Sequence, residues 1–307
     1  MIDVFVLGVE RSGTTWVSNI LEAHPNTCVY MEPLSSSVSG FKSWPGRFTK
    51  LEDTDLYAQY FQDEFASLKH RRRFLFTRYF DGRLAWDVDD TLANLIKYYI
   101  KIDSARDFQE LNFHRVNDHF NFPSKNGKLT ILKEVRINYK AEIIKRINPN
   151  AKVIVPIRGY GPVVESIDKC FRKGSLVDLK KDMKNKCSKK ITKKCIFEYW
   201  YSSYNSLLKK LAKEKVKYRV FNHKKVLEDR SAAERIVEWL GLSKSTTVEE
   251  YLLQSAKRGS GKHNTRRDPS SLLERAKRSN DRFKSTHSFI EEYPKADTHP
   301  DLEPFFR

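Results

Sequence analysis

The sequence predicts a single α/β domain spanning 1–307, with a mostly parallel sheet flanked by helices. Three observations carry that prediction. Short apolar runs recur at residues 2–8, 27–31, 129–135, 152–157 and 218–221, and helix-periodic stretches separate several of them. The fourth run, Lys152 to Ile157 (KVIVPI), is almost continuously apolar, as a strand covered on both faces must be. The first run leads through a glycine-bracketed turn, Gly8 to Thr15 (GVERSGTT), into a stretch where Trp16, Val17, Ile20 and Leu21 recur at helical spacing.

Composition supports one sizeable core. The 307 residues are 39% hydrophobic and 12% aromatic, which excludes a disordered chain. Lys and Arg number 57 against 39 Asp and Glu, a net charge of +18 that attracts nucleic acid, anionic glycans, membrane surfaces or an anionic cosubstrate. Cys28, Cys170, Cys187 and Cys195 lack the paired spacing of a zinc site and are expected to be reduced thiols of a cytosolic protein. No apolar run approaches the ~20 residues that cross a bilayer.

Taken in order, the first strand is apolar at five of the seven residues from Ile2 to Gly8. Strand, glycine turn and helix start together form the geometry in which backbone N–H groups and a helix dipole converge on an anion, a P-loop-like element. The spacing G-x-x-x-x-G fits a nucleotide phosphate loop, but Thr14 stands where such a loop has its lysine. Arg11 is the only cation within it. A nucleoside triphosphatase would lack its main contact to the outer phosphates; a protein holding one 5′-phosphate would not. Similar turns also occur without ligands.

The second strand, 27–31, ends at Glu32-Pro33. Residues just past a strand's C-terminal end face the ligand crevice of an open parallel sheet, so Glu32 is a candidate catalytic carboxylate. The position equally suits a helix-capping or surface glutamate. Residues 41–127 interleave aromatics with charges, with helices expected near 54–69, 90–103 and 105–118. His70, His114 and His119 read as surface or packing residues. Strand three, 129–135, is followed by a helix over 140–147, and strand four by a helix from about Pro162 that carries Ser166.

Residues 172–194 hold Arg172 and nine lysines. They read as a solvated, mobile basic segment, with a rail for an anionic polymer as the alternative. A helix over 196–213, strand five at 218–221, and a helix pair ending at Trp239-Leu240-Gly241-Leu242 follow. His223 reads as a packing residue, and the tail from Tyr293 as a surface-packed terminus.

The arrangement RSGTTW after a first strand resembles the 5′-phosphosulfate loop of sulfotransferases that use 3′-phosphoadenosine 5′-phosphosulfate (PAPS). Two later blocks add to it. Arg158 at a strand end and Ser166 eight residues later have the spacing of the pair that, in that family, clamps the cofactor's 3′-phosphate. The strand at 218–221 and the Trp-Leu-Gly ending at 239–241 are similar to a further family block. Two departures stand out: the usual Arg-Asp-Pro reads Arg158-Gly159-Tyr160, and Asn222-His223-Lys224-Lys225 replaces an acidic turn.

The resemblance, closest to the carbohydrate and tyrosylprotein branches, implies an enzyme that moves a sulfuryl group from PAPS to an acceptor hydroxyl, leaving PAP. A glycan is the expected acceptor, shaped by residues 41–127 with Arg71, Arg72, Arg73, Arg78 and Arg83 as lining candidates. It implies cofactor binding by Arg11, Ser12, Gly13, Thr14, Thr15, Arg158 and Ser166, and by Lys262, Thr265 and Arg266 of a late basic loop. Glu32 is the expected base, with Glu10 and Glu134 behind it, and Lys133 or Arg136 the expected contact to the sulfonate oxygens. No metal is called for. Location follows as cytoplasmic for a complete chain, or Golgi lumen if an N-terminal anchor precedes it. A P-loop kinase would share the first strand, loop and helix but lacks its lysine and a clear Mg²⁺-holding strand end. A nucleic-acid binder would use the charge and aromatics, but no nucleic-acid motif is recognisable.

Overall fold

The computed structural model describes residues 1–32, 34, 45–49, 51–68, 129–187, 190–223, 230–259 and 298–305. Within them, five strands form one sheet in the order β2-β3-β1-β4-β5: β1 Val4–Leu7, β2 Thr27–Met31, β3 Leu129–Glu134, β4 Lys152–Ile157 and β5 Lys217–Asn222. Every pairing is parallel. Val4 lies between Ile131 and Lys152, so β1 is the central strand. All five apolar runs of the sequence are strands.

Side chains alternate between two cores. Phe5, Leu7, Leu132, Val153, Val155 and Ile157 point to one face. Val4, Val6, Ile131 and Ile154 point to the other. Both faces are covered, which is why these strands read as continuous apolar runs and not as an apolar–polar alternation.

The second face packs on α1 (Thr14–Glu22), α7 (Arg230–Trp239) and α8 (Thr246–Gly259). The first packs on α2 (Thr54–Leu68), α3 (Ile143–Ile147), α4 (Tyr160–Arg172), α5 (Val177–Lys186) and α6 (Lys193–Lys213). The α6 face that carries Phe197, Trp200, Tyr204 and Leu208 is completely buried, and Trp200 packs on the Tyr160, Phe197 and Tyr204 rings.

From β1 the chain leaves through α1 to β2 on one side. From β4 it leaves through α4 on the opposite face toward β5. The crevice above the β1–β4 pair is therefore a topological switch point, where the carboxyl ends of adjacent strands diverge and leave room for a ligand.

Three elements differ from expectation. The basic segment is not a solvated coil: α5 forms because Leu179 and Met183, four residues apart, bury on the core while Asp178 and Asp182 pair with Arg136 and Arg47. The predicted 140–147 helix divides into a 3₁₀ turn at Asn138–Lys140 and α3. Within the tail, the 3₁₀ turn Pro300–Phe305 buries Leu302 and Phe305 in the core, beyond a surface fit. The expected helices near 90–103 and 105–118 lie outside the described residues.

Candidate active site

The carboxyl ends of the strands deliver the candidate residues to one edge of the sheet. Gly8 to Gly13 follow β1, Glu32 follows β2, Lys133 and Glu134 close β3, Arg158 follows β4 and His223 follows β5.

The loop after β1 is tightly fixed. Asn138 donates to Gly8 O at 2.9 Å, and Tyr204 donates to Pro156 O at 2.8 Å while accepting from Val9 N at 3.4 Å. A Cβ on Gly8 would sit 2.9 Å from Thr14 Cγ2 and 3.2 Å from Tyr204 Oη, so no larger residue fits. Gly13 has φ +92°, the left-handed region, and caps α1 without a side-chain hydrogen bond. The first helical bond runs from Val17 N to Gly13 O, leaving the preceding first-turn N–H groups available to an anion. Ser12 Oγ is buried beside the Tyr204 hydroxyl and has no other hydrogen-bond partner among the described residues, a group suited to a phosphate oxygen.

Arg11, Arg158 and Ser166 converge. Arg11 Nε donates to Ser166 Oγ at 3.0 Å, and Arg158 Nη1 reaches Arg11 O at 3.4 Å. Among the described residues neither arginine has an acidic partner. Burial, then the Arg11 charge, lowers the proton affinity of Arg158. Two neighbouring guanidiniums without a counter-charge are the electrostatic signature of an anion site. Thr14 is buried and Thr15 half-buried at the start of α1.

On the other side of β1, Lys133 and Glu32 form an ion pair, and Glu32 N donates to Lys133 O at 2.7 Å. Lys133 is buried, whereas the Glu32 side chain keeps part of its surface exposed. Glu32 has φ +44°, a strained conformation for a non-glycine residue of the kind that gathers at functional sites. Burial, only partly offset by Glu134 and Glu10, pushes Lys133 down to about 8, and Arg136 and Arg11 lower it further. Lys133 therefore shares an electrostatic neighbourhood with Arg11.

The two reserve carboxylates are committed elsewhere. Glu134 is fully buried and accepts from Val135 N, Arg136 N and Leu34 N at 2.8, 3.0 and 3.0 Å. Glu10 pairs with buried Arg47 at 2.6 Å and accepts from Tyr199 Oη. Arg136 turns to Asp178 at 2.7 Å. Lys262, Thr265, Arg266, the arginines at 71–83 and His70, His114 and His119 lie outside the described residues.

His223 packs, in line with its sequence reading, whereas Arg47 acquires a role that sequence patterns did not assign. The His223 ring lies so close to Gly13 that a Cβ there would meet it at 1.9 Å, and it packs edge-on to Trp16 at 5.7 Å. Burial and, second, Arg158 push His223 down to about 4, so it is neutral near pH 7. The strand-end rule that singles out Glu32 applies equally to His223, since it directly follows β5. Arg47 bridges Glu10, Asp182, Tyr199 and Val135 O, and buried Lys140 holds the same segment through Gly46 O and Arg47 O at 2.7 and 2.9 Å. No local pattern around Arg47 marks it; only the tertiary fold does.

Among the described residues no helix is long and apolar enough to cross a membrane, and no group of histidine, cysteine or acidic residues could hold a metal ion.

Residues 3–247 match the profile of the Sulfotransferase family. Solved structures similar to the chain include a sulfotransferase from Mycobacterium avium (14% identity over 93% of this chain and 76% of that one, TM-score 0.42). The sulfotransferase domain from the curacin biosynthetic pathway is similar at 14% identity over 99% and 96%, TM-score 0.49. That of the Synechococcus PCC 7002 olefin synthase is similar at 13% identity over 100% and 93%, TM-score 0.44. No curated protein matches the chain.

Proposed function

We propose that this chain, which belongs to the sulfotransferase family, moves the sulfuryl group of PAPS to an acceptor hydroxyl of a carbohydrate. Sulfuryl transfer itself follows from membership; the donor, the acceptor and the residue roles are our assignment. The observation that carries it is the meeting of Arg11, Arg158 and Ser166 at the switch point, two cations and a hydroxyl with no acidic partner among the described residues. One phosphate-rich nucleotide would satisfy that charge.

The donor supplies an activated sulfuryl group on its 5′-phosphate. The first-turn amides of α1, Ser12 Oγ and Arg11 suit the 5′ end, where they would stabilise negative charge growing on the leaving oxygen. Arg158 and Ser166 suit the 3′-phosphate, a guanidinium fork with a helix-borne donor beside it. Thr14 and Thr15 begin the helix that presents those amides. Glu32 is the carboxylate with solvent access and takes the acceptor proton; Glu10 and Glu134 already spend their oxygens on internal partners. Lys133 holds Glu32 in place and contributes positive charge beside the sulfonate oxygens. The carbohydrate acceptor is supported by the RSGTT form of the loop, which resembles the carbohydrate and the tyrosylprotein branches alike.

Calorimetric titration with PAP, ADP and ATP tests the assignment. PAP is expected to bind far more tightly than either, and Arg158→Ala to lose most of the difference. Equal binding of ATP with Mg²⁺, or no loss in the variant, would remove the 3′-phosphate clamp.

A further inference from the structure

The turn that delivers Arg11 to the crevice is strained. Val9 O accepts from Ser12 N at 3.2 Å, so Glu10 and Arg11 are the two central residues of a tight turn. Arg11 has φ +67°, the left-handed region, at a position where such turns ordinarily carry glycine or asparagine. A non-glycine residue stays in that region only where its surroundings hold it. The Arg11 side chain itself is exposed as it reaches Ser166, and Arg158 adds only a 3.4 Å contact to Arg11 O. The firmer hold comes from the other central residue.

Glu10 turns the opposite way, into the core. Its Oε1 meets Arg47 Nη2 at 2.6 Å, and its Oε2 accepts from Tyr199 Oη. The Arg47 side chain is 1% exposed. Its Nη1 donates to Val135 O at 3.0 Å and to Tyr199 Oη at 2.9 Å, and its Nε donates to Asp182 Oδ2 at 3.3 Å. Lys140 Nζ in turn fixes the Arg47 backbone through Gly46 O and Arg47 O. One planar guanidinium thereby ties the carboxylate of the turn to the chain just after β3, to α5 and to α6. Ion pairs buried this deeply contribute little net stability over apolar packing, so position explains the network better than stability does.

We propose that Arg47 is a positioning residue for the transfer reaction. Through Glu10 it fixes the turn from Val9 to Ser12, and so keeps Arg11 in the left-handed conformation that aims its guanidinium across the crevice at Ser166. It acts through Glu10 and not on the reacting groups. The hold on Arg11 stands on geometry alone; its consequence for nucleotide binding rests on the donor reading above.

The test uses the full chain and two mild variants. Arg47→Lys keeps a charge beside Glu10 but loses the planar fork, and Tyr199→Phe removes one hydrogen bond from each partner. Nuclear magnetic resonance of the arginine Nε–Hε groups reads Arg11 directly, its signal identified by its loss in Arg11→Lys. In both variants that signal should exchange with solvent about 10-fold faster, while the backbone amides of β1 and β4 keep their protection. PAP should bind about 10-fold more weakly to Arg47→Lys, and the loss should shrink below about twofold in an Arg11→Ala background. A purely structural Arg47 would lower protection throughout the sheet, or weaken PAP equally with and without Arg11. Either result, or an unchanged Arg11 signal in both variants, would overturn the proposal. Failure of PAP to bind the unmodified chain would sink the donor assignment instead, and the exchange rates would still decide the hold on Arg11.

Discussion

Arg11 Nε donates to Ser166 Oγ across 3.0 Å, joining the turn after β1 to the helix after β4. The two residues are 155 apart in the chain, and their contact links the two elements that flank the crevice above β1 and β4. In the proposed complex a nucleotide would meet Arg11 with its 5′ end and Arg158 and Ser166 with its 3′-phosphate. Arg158→Ala should weaken PAP binding by about 10- to 100-fold, the range for lost charged hydrogen bonds, and Ser166→Ala by about 3- to 10-fold. Both should leave Tm nearly unchanged, as checked by calorimetry and thermal melts.

Gly13→Ala should cost stability and nucleotide affinity together. The position needs φ +92°, and the new methyl would meet His223 Cδ2 at 1.9 Å. A loss of about 1–3 kcal/mol is expected from urea unfolding. Adding His223→Ala should recover part of it by removing the ring and not the backbone strain. No recovery would mean that the backbone alone sets the cost.

Glu32→Gln should lower kcat by about 10²- to 10⁴-fold while PAP affinity stays within about twofold, because the proposed base would act on the acceptor and not on the nucleotide. Lys133 adds a pH signature. Its ammonium loses its proton near pH 8, so kcat/KM should fall as pH rises through that value. Lys133→Met should abolish that limb of the profile; an unchanged limb would assign it to another group.

His223 should make the fold acid-sensitive. Its folded-state value of about 4 lies below the ordinary 6.5, so the unfolded chain binds the extra proton as pH falls. The stability this represents is complete above about pH 6.5 and is lost on the way down to about pH 4. The loss should be roughly 2–3 kcal/mol for this group. Urea unfolding of His223→Gln across that window should show a shallower slope.

Arg47→Met should destabilise by about 3–5 kcal/mol, since Glu10 would remain buried without its cation. The double variant Arg47→Met/Glu10→Gln should be less damaged than the sum of the two single changes. Chemical denaturation of the four proteins checks both statements.

The sheet was legible because its strands are buried on both faces. Hydrophobicity along Val4–Leu7 and Lys152–Ile157 needs no knowledge of neighbours to be recognised. The turn proposed to hold the 5′-phosphate was legible for a related reason: its candidate groups are consecutive residues, Gly8 to Thr15, in a strand-to-helix turn. Helix α5 was not legible, since lysines dominate its composition and the two apolar and two acidic anchors show only against the core.

By itself the sequence determined the α/β class, the strand set and the glycine turn between the first strand and the first helix. It also placed Glu32, Lys133 and Arg158 at or just past strand ends, which follows from where each apolar run stops. Only the tertiary structure decided which strand ends are neighbours. The order β2-β3-β1-β4-β5 sets Arg158 beside Arg11 and Lys133 beside Glu32, while Glu10 and Glu134 turn inward. It also lays His223 on Gly13. These are contacts between segments distant in the chain, set by sheet order and helix packing, and no local spacing encodes them.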